Sequence, residues 1–206
     1  MVAHQRSLFG LGDPAVDAHA TFERRGLEHG AWIDVARGFL LGADSLLDRL
    51  TESVEWRQGR RRMFDRMVDD PRLSRWYKRA RDFPDPALHQ LRDALQQHYG
   101  VEFGGVGLNY YRDGNDSVAP HRDRELRQLD DTLVAIVTIG AKRPFLVRPR
   151  GGGSSIDLAP AAGDLLVMGG ACQQHYEHGV PKVAHAGPRI SASFRWTGRS
   201  AIVAPG

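Results

Sequence analysis

A short segment in the second half of the chain carries side chains that can bind a metal ion. It reads Ala-Pro-His-Arg-Asp-Arg-Glu over residues 119–125. Residues two apart on a β-strand project from the same face, so His121 and Asp123 can direct an imidazole and a carboxylate at one point. The segment therefore predicts two of the three ligands of a metal site. The alternative is a solvated, charged loop.

A third ligand has to come from a distant strand. Three histidines downstream are candidates, namely His175, His178 and His185. We favour His178 because it follows a strand-like run and is fixed by the local turn Gly-Val-Pro, whereas His185 lies in a looser segment. Two imidazoles and one carboxylate leave coordination positions open, which favours non-haem Fe(II) and O₂ chemistry over a closed structural zinc site.

Four polar residues on two further strand-like segments could bind an anion beside this metal. Arg189 and Arg195 lie six positions apart, so on one strand they face the same way. Two inward-facing arginines are costly in a small barrel unless an anion compensates them. Asn109 and Tyr111 also share a face and offer an amide and a phenol. A dicarboxylate next to Fe(II) would satisfy all four side chains.

The elements that must position these residues change character about halfway along the chain. In the first half, Asp44 is predicted to cap a leucine-rich helix, and Asp85 a second helix with Pro86 in its first turn and its end at Gly100. From about residue 106, eight short β-type runs follow, separated by Gly, Pro and Asp. The pattern predicts an α+β fold, with a β-sandwich or jelly roll buttressed by N-terminal helices.

Composition restricts the class of protein. At 206 residues the chain suits one domain, and no apolar run approaches the roughly 20 residues that span a bilayer. The N-terminal segment lacks the features of a secretory signal. A single cysteine, Cys172, excludes an internal disulfide framework and fits a reducing compartment. We therefore expect a cytoplasmic protein with no membrane association, acting as a monomer.

Residues 55–83 form a basic segment that also contains aromatic side chains. Most of the chain's 28 basic residues are arginines, and this segment is rich in them. Cations that neutralise phosphates beside rings that stack on bases are typical of a nucleic-acid surface. A solvated basic face is the alternative, although such a face does not require the aromatic rings.

In their order along the chain, these motifs resemble the AlkB family of Fe(II)- and 2-oxoglutarate-dependent dioxygenases. The resemblance covers roughly residues 106–196 and includes "LNYYRDG", "HRD", "GDLLVM", "HGVPK" and "RISASFR". It implies one domain, with N-terminal helices and a substrate lid over about 1–105 and a double-stranded β-helix (jelly-roll) catalytic core over about 106–200. The implied iron ligands are His121, Asp123 and His178. The implied 2-oxoglutarate contacts are Asn109, Tyr111, Arg189 and Arg195, with Arg195 at the far carboxylate and Arg189 nearer the metal.

The resemblance also implies a reaction and a substrate. Fe(II), 2-oxoglutarate and O₂ would support oxidative demethylation of N-alkylated bases such as 1-methyladenine and 3-methylcytosine in DNA or RNA, a direct-reversal repair. Glu125 matches an acidic position near the flipped base, although it could equally be a surface carboxylate. Trp76 and Tyr77 are candidates to clamp the base, and Met63 and Phe64 are possible wedges. The predicted phosphate contacts are Arg57, Arg60, Arg61, Arg62, Arg72 and Arg75.

Two other functions remain open from the sequence. One keeps the iron and 2-oxoglutarate but takes a protein side chain or a small molecule as the substrate. The other is a non-catalytic nucleic-acid-binding module built on a degenerate barrel. The basic, aromatic segment disfavours the first, and the presence of all three proposed ligands disfavours the second.

Overall fold

A computed structural model describes residues 12–63 and 65–198 of the chain. Its helices are α1 (Ala43–Ser53), α2 (Pro86–Tyr99) and the single turn α3 (Cys172–His175). The strands of the N-terminal half are β1 (Ala15–Val16), β2 (Phe22–Gly26), β3 (Trp32–Ala36), β4 (Leu40–Leu41), β5 (Arg57–Met63) and β6 (Arg66–Tyr77). The remaining strands are β7 (Val106–Tyr111), β8 (Val118–His121), β9 (Thr132–Gly140), β10 (Leu146–Pro149), β11 (Ile156–Asp157), β12 (Leu165–Gly170), β13 (Tyr176–Val180) and β14 (Arg189–Trp196).

Two antiparallel sheets form the jelly roll. The major sheet has the strand order β2-β3-β12-β9-β14-β7-β6-β5, and the minor sheet has the order β11-β10-β13-β8. Strands that are distant in sequence are neighbours in both sheets, as β8 and β13 show. Each of the eight β-type runs predicted after residue 106 contains a strand, so the α+β jelly-roll prediction is confirmed.

The central strand β9 shows how the core is arranged. Val134 and Ile136 point into an apolar cluster between the two sheets, which also contains Phe145 and Val147 of the minor-sheet side. Alternate residues of β9 point to the other face of the major sheet, where α1 and α2 pack. Because both faces are covered, all nine residues of this strand are buried. The strand therefore consists largely of apolar residues rather than alternating with polar ones.

The predicted N-cap residue is confirmed for α2 and is wrong for α1. The Asp85 side chain accepts a hydrogen bond from the backbone N–H of Ala87, and α2 ends at Gly100 with φ 65°. Helix α1 starts at Ala43 with Gly42 at the N-cap, so Asp44 lies in the first turn and is not the cap. Gly42 has φ 65°, and a Cβ there would lie 2.7 Å from the Gly12 carbonyl oxygen, which favours glycine at the cap over aspartate.

The N-terminal half contributes more strand than its sequence pattern indicates. Strands β2 and β3 extend one edge of the major sheet, and the β5–β6 hairpin forms the other edge. The outermost of these strands lack the usual alternation of apolar and polar residues because they carry mainly charged residues, as in Phe-Glu-Arg-Arg-Gly of β2. Charged edge strands protect a sheet from pairing with other chains. Most of the basic segment therefore forms the β5–β6 hairpin, which is continuous with the major sheet.

None of the helices in the described ranges has the length and apolar character needed to cross a membrane.

Replacing Asp85 with alanine is expected to destabilise the fold by about 1–2 kcal/mol. The change removes the cap of α2 and the ion pair between the Asp85 carboxylate and Arg49, whose closest atoms are 2.9 Å apart. Asp93→Ala on the exposed face of α2 is the matched control, since its pair with Arg92 is largely solvated. Urea denaturation measures both variants. Equal losses of unfolding free energy would contradict the capping role.

Candidate metal centre

The pairing of β8 with β13 brings two of the predicted ligands together. His178 lies opposite His121 in this antiparallel ladder, and their ring centroids are 4.4 Å apart. Asp123 follows two residues after His121, and one ligand atom from each of the three residues lies within 4.8 Å of the others. The structure therefore places His178 beside the other two ligands, as predicted. His175 instead stacks on His29, with ring centroids 4.4 Å apart.

The strand-parity argument for Asp123 is wrong, although the residue is placed as predicted. Strand β8 ends at His121, so Asp123 lies in the turn that follows. The carbonyl oxygen of Asp123 accepts hydrogen bonds from the backbone N–H groups of Leu126 and Arg127. Its own N–H donates to the side-chain oxygen of Gln173 at 2.9 Å. Tertiary hydrogen bonds therefore direct the carboxylate.

Each imidazole is suited to bind a metal. His121 Nδ1 lies 3.0 Å from the Ala119 carbonyl oxygen. A proton on this nitrogen would be donated to that oxygen, leaving the lone pair of Nε2 free. His178 is buried, and its Nδ1 has no hydrogen-bond partner among the described residues. Burial, together with repulsion from His121 and Arg195, lowers the pKa of His178 to about 3. The imidazole is therefore neutral at physiological pH, as a metal ligand must be.

Asp123 is ionised despite its burial. Desolvation is the largest influence and opposes the charge, but the proximity of His121 and the charge and hydrogen bond of Arg195 outweigh it. The pKa of this carboxyl therefore lies well below its usual range. Arg195 Nε donates to Asp123 Oδ2 at 2.6 Å, which leaves Oδ1 facing His121 Nε2 at 3.6 Å. Two imidazoles and one carboxylate fit the facial set that binds Fe(II) with open positions.

The three ligands open into a small polar cavity between the two sheets. Its volume is about 170 Å³. Its polar lining residues are Arg72, Asn109, Tyr111, His121, Asp123, His178, Ser191, Ser193 and Arg195. Three of the four predicted 2-oxoglutarate contacts, Asn109, Tyr111 and Arg195, belong to this lining. Arg189 does not, and its guanidinium lies over the Tyr111 ring. The predicted sharing of a face by Asn109 and Tyr111 is confirmed.

Arg189 is a buried cation without a compensating carboxylate in the described structure. The residue is fully buried, and its Nε and Nη1 atoms have no hydrogen-bond partner among the described residues. Its Nη2 donates to Thr138 Oγ1 at 3.2 Å, and its guanidinium lies 5.4 Å from the centroid of the Tyr111 ring. Burial lowers the pKa of Arg189 to about 10, so the side chain remains charged. Such a group requires an anion.

The structure reverses the expected order of the two arginines. Arg195 was expected at the far carboxylate of 2-oxoglutarate and Arg189 nearer the metal. Arg195 instead contacts the metal-binding carboxylate of Asp123, while Arg189 lies opposite Tyr111 on the neighbouring strand. Arg189 and Arg195 are an even number of residues apart on β14, so both project from the same face of this strand. Which of them lies near the metal ligands depends on how β14 pairs with β7.

The hairpin residues divide between the two faces of β6. Trp76 is 47% exposed and lies over Arg195, with 5.7 Å between the guanidinium carbon and the ring centroid. Gly107 leaves room for this ring, because a Cβ there would lie 2.9 Å from it. Tyr77 projects to the opposite face and packs against the helix-side core. The expectation that both rings clamp a base is therefore wrong for Tyr77.

The other predicted substrate contacts are placed as follows. Arg72 lies inside the cavity, where its Nε donates to Asn109 Oδ1 at 3.0 Å, and not on the outer basic face. Glu125 is 61% exposed at the side chain and approaches Arg195 Nε to 3.7 Å. Arg57 and Arg60 are largely exposed on β5. Phe64 and the side chains of Arg61 and Met63 lie outside the described residues.

Two residues near the ligands were missed by the sequence analysis. Phe145 stacks on His178, with ring centroids 5.7 Å apart and an interplanar angle of 15°. Gln173 holds the backbone of Asp123. Neither residue carries a signal for a ligand contact in the sequence, since the first resembles an ordinary core aromatic and the second lies in a polar turn. Their proximity to the ligands arises from the pairing of distant segments.

Comparison with known proteins agrees with this geometry. Residues 69–199 match the family model of the 2OG-Fe(II) oxygenase superfamily. The chain belongs to this superfamily. A 2OG-Fe(II) oxygenase uses Fe(II), 2-oxoglutarate and O₂, and the His121–Asp123–His178 set could hold the metal ion of such a site.

Individual relatives of this 2OG-Fe(II) oxygenase support the AlkB resemblance. The chain is 31% identical over 174 residues to alpha-ketoglutarate-dependent dioxygenase alkB homolog 3 of Bos taurus, covering 74% of this chain and 61% of that protein. It is 32% identical over 119 residues to DNA oxidative demethylase ALKBH2 of Mus musculus, covering 53% of this chain and 50% of that protein. The chain thus spans less than two thirds of the length of either relative.

A solved structure shows the same fold. OsALKBH1 superposes with a TM-score of 0.57 at 16% identity, covering 84% of this chain and 99% of that one. The fold is therefore shared with OsALKBH1 at low sequence identity.

The neutral state of His178 predicts a pH-dependent stability. The imidazole pKa is near 6.5 in an unfolded chain and about 3 in the folded one. The unfolded state therefore binds the extra proton, and the free energy of unfolding falls as pH drops from about 6.5 towards 3. Between about pH 7 and 5, the metal-free wild type should lose about 1–2 kcal/mol more than His178→Gln. Urea denaturation at both pH values measures the difference, and parallel losses would contradict the assignment.

Proposed function

We propose that the chain catalyses oxidative demethylation of N-alkylated bases, such as 1-methyladenine and 3-methylcytosine, in DNA or RNA. The products would be the restored base, formaldehyde, succinate and CO₂, which amounts to direct-reversal repair. The observation that carries the proposal is the ligand set His121, Asp123 and His178 next to the arginine-rich β5–β6 hairpin. The sequence similarity to an alkB-type dioxygenase and to a DNA oxidative demethylase supports the same chemistry.

Bound Fe(II) would supply O₂ activation coupled to the oxidation of 2-oxoglutarate, which hydroxylates the N-methyl carbon so that formaldehyde can leave. The chain's own residues bind and orient the cosubstrate. Arg189 and the Tyr111 phenol would bind the carboxylate distant from the metal, because the buried guanidinium requires an anion. Asn109, which accepts from Arg72, would orient the other end. Arg195 keeps Asp123 ionised and oriented towards the ligand position.

The base must leave the helical stack to reach this cavity. The cavity lies between two sheets, so a base paired inside a duplex cannot approach it and has to be flipped or already unpaired. Trp76 lies partly exposed over Arg195 at the edge of the cavity, where an indole can stack on an extruded base. Met63, the last residue of β5, and Phe64, which follows it in the sequence, are proposed to fill the space that the base leaves.

Charge supports a nucleic acid over a peptide or a small molecule as the substrate. Arg57 and Arg60 expose most of their side chains on the outer strand of the hairpin. Their nearest carboxylates, Glu55 and Asp69, are themselves exposed, so phosphates can compete for the guanidinium groups. The hairpin therefore offers a solvent-accessible row of cations that leads to the metal cavity.

A panel of substrates tests the function. Oligonucleotides with 1-methyladenine, 3-methylcytosine or an etheno base, each as single strand, duplex and RNA, are incubated with Fe(II), 2-oxoglutarate and O₂. Formaldehyde release should occur with the methylated oligonucleotides, depend on 2-oxoglutarate, and be abolished in His178→Ala. Methylated peptides are the comparison. Iron binding with no turnover of any oligonucleotide would overturn the proposal, and oligonucleotide binding without succinate release would support a non-catalytic module.

Glu125→Gln should lower kcat/KM for 1-methyladenine and 3-methylcytosine by about tenfold, equivalent to about 1.4 kcal/mol of transition-state stabilisation. Both bases are cationic when methylated, and the Glu125 carboxylate lies at the mouth of the cavity near Arg195. A neutral etheno base should be affected much less. Asp130→Asn, an exposed acid in the same turn region, is the matched control. An equal loss on all bases would contradict selection by charge.

The hairpin arginines should contribute to the salt dependence of binding. For single-stranded oligonucleotides, Arg60→Gln or Arg62→Gln is expected to reduce the slope of log K against log salt by about 0.7 for each phosphate that the variant no longer neutralises. Arg25→Gln is the matched control, because Arg25 is exposed on β2 at the opposite edge of the major sheet. Fluorescence anisotropy at several salt concentrations measures the slopes. Equal slopes in the wild type and all three variants would exclude the hairpin as the binding face.

A further inference from the structure

Gln173 is a buried polar residue that contacts a metal ligand from behind. It lies in α3 and is fully buried. Its Oε1 accepts a hydrogen bond from the backbone N–H of Asp123 at 2.9 Å. Its Nε2 lies 4.0 Å from Met168 Sδ, a weak acceptor. The amide therefore has one strong partner, and that partner is the main chain of the metal-binding carboxylate.

A second hydrogen bond links the same two segments. Arg122, between the ligands His121 and Asp123, donates from Nη1 to the carbonyl oxygen of Gln174 at 3.1 Å. Helix α3 then leads directly into β13, which carries His178. Helix α3 thus contacts the segment that carries His121 and Asp123. It also continues directly into β13, the strand that carries His178.

The Asp123 carbonyl oxygen is held locally by the backbone N–H groups of Leu126 and Arg127, and Gln173 supplies the acceptor for the Asp123 N–H. Strand β8 ends at His121, so the ladder with β13 does not extend to Asp123. The carboxylate itself is held by Arg195, but that contact supplies no acceptor for the Asp123 N–H. Water cannot readily replace the Gln173 oxygen, because the amide is fully buried. A buried N–H without an acceptor is costly, so the turn would rearrange to satisfy it.

We propose that Gln173 is a positioning residue that fixes the main chain of Asp123, so that the carboxylate faces His121 and His178 before the metal binds. The inference rests on the metal site of the proposed function, but it concerns metal binding and not the identity of the nucleic acid. Residues that orient metal ligands without touching the metal commonly contribute about 10- to 100-fold to metal affinity. Gln173 would contribute through the backbone of the ligand, and not through its side chain.

Gln173→Met tests the proposal, because methionine keeps the length of the side chain but removes the strong acceptor. Mn(II) is the probe and is titrated without oligonucleotide, so failure here is distinct from failure of the demethylase function. Mn(II) affinity should fall by about 10-fold or more. Gln174→Met is the matched control: it removes the neighbouring side-chain amide but keeps the carbonyl that Arg122 contacts, and its affinity should remain within about twofold of wild type.

Amide hydrogen exchange of the metal-free protein supplies a readout that a general loss of stability would not reproduce. In Gln173→Met, the Asp123 N–H should become less protected while the amides of β9 keep their protection. Gln173→Glu, whose side-chain oxygen can also accept, should restore protection of the Asp123 N–H relative to Gln173→Met. Unchanged Asp123 exchange in Gln173→Met, or a similar loss of Mn(II) affinity in Gln174→Met, would overturn the proposal.

Discussion

The antiparallel register between β8 and β13 is the constraint on which the site depends. It sets His178 opposite His121, so two imidazoles from segments far apart in sequence meet at a fixed separation. A shift of one residue would turn His178 to the other face of the strand. The pairing of β13 with β10 on its other side, where Val147 lies opposite His178, helps to hold this register. The metal centre is therefore a property of the minor sheet.

The charges around the centre explain why the cavity suits an anionic cosubstrate. Asp123 is paired with Arg195, and its carboxylate remains ionised against the effect of burial. Arg189 is buried at the other end with no carboxylate partner in the described part of the chain, and its charge is retained. In the proposed function, a dicarboxylate that binds the metal at one end would supply the anion that Arg189 lacks at the other. Under the same proposal, the polar residues between these two ends would orient the cosubstrate.

The hairpin that carries the basic residues is built onto the catalytic sheet. Strand β6 pairs with β7, which carries Asn109 and Tyr111, so the hairpin and the cosubstrate pocket share one ladder. Trp76 and Arg72 reach inward from β6, whereas Arg60 and Arg62 belong to the outer strand. A nucleic acid bound to β5 would therefore be separated from the cavity by β6, and the hydrogen-bonded pairing of β5, β6 and β7 would fix that distance. In the proposed function, this arrangement would link recognition of the nucleic acid to chemistry within one sheet.

The sequence by itself determined the ligand types, the helix α2 with its Asp85 cap, the strands after residue 106 and the shared face of Asn109 with Tyr111. These depend on local chemistry and on the two-residue period of a strand, which a linear pattern records. The tertiary structure alone decided which end of β14 meets the metal, that Tyr77 and not Trp76 is the ring that turns away from the cavity, and that Gln173 supports Asp123. Each of these follows from contacts between segments distant in sequence. Residue spacing carries no information about such contacts, because strand order and register are set by the packing of the whole core.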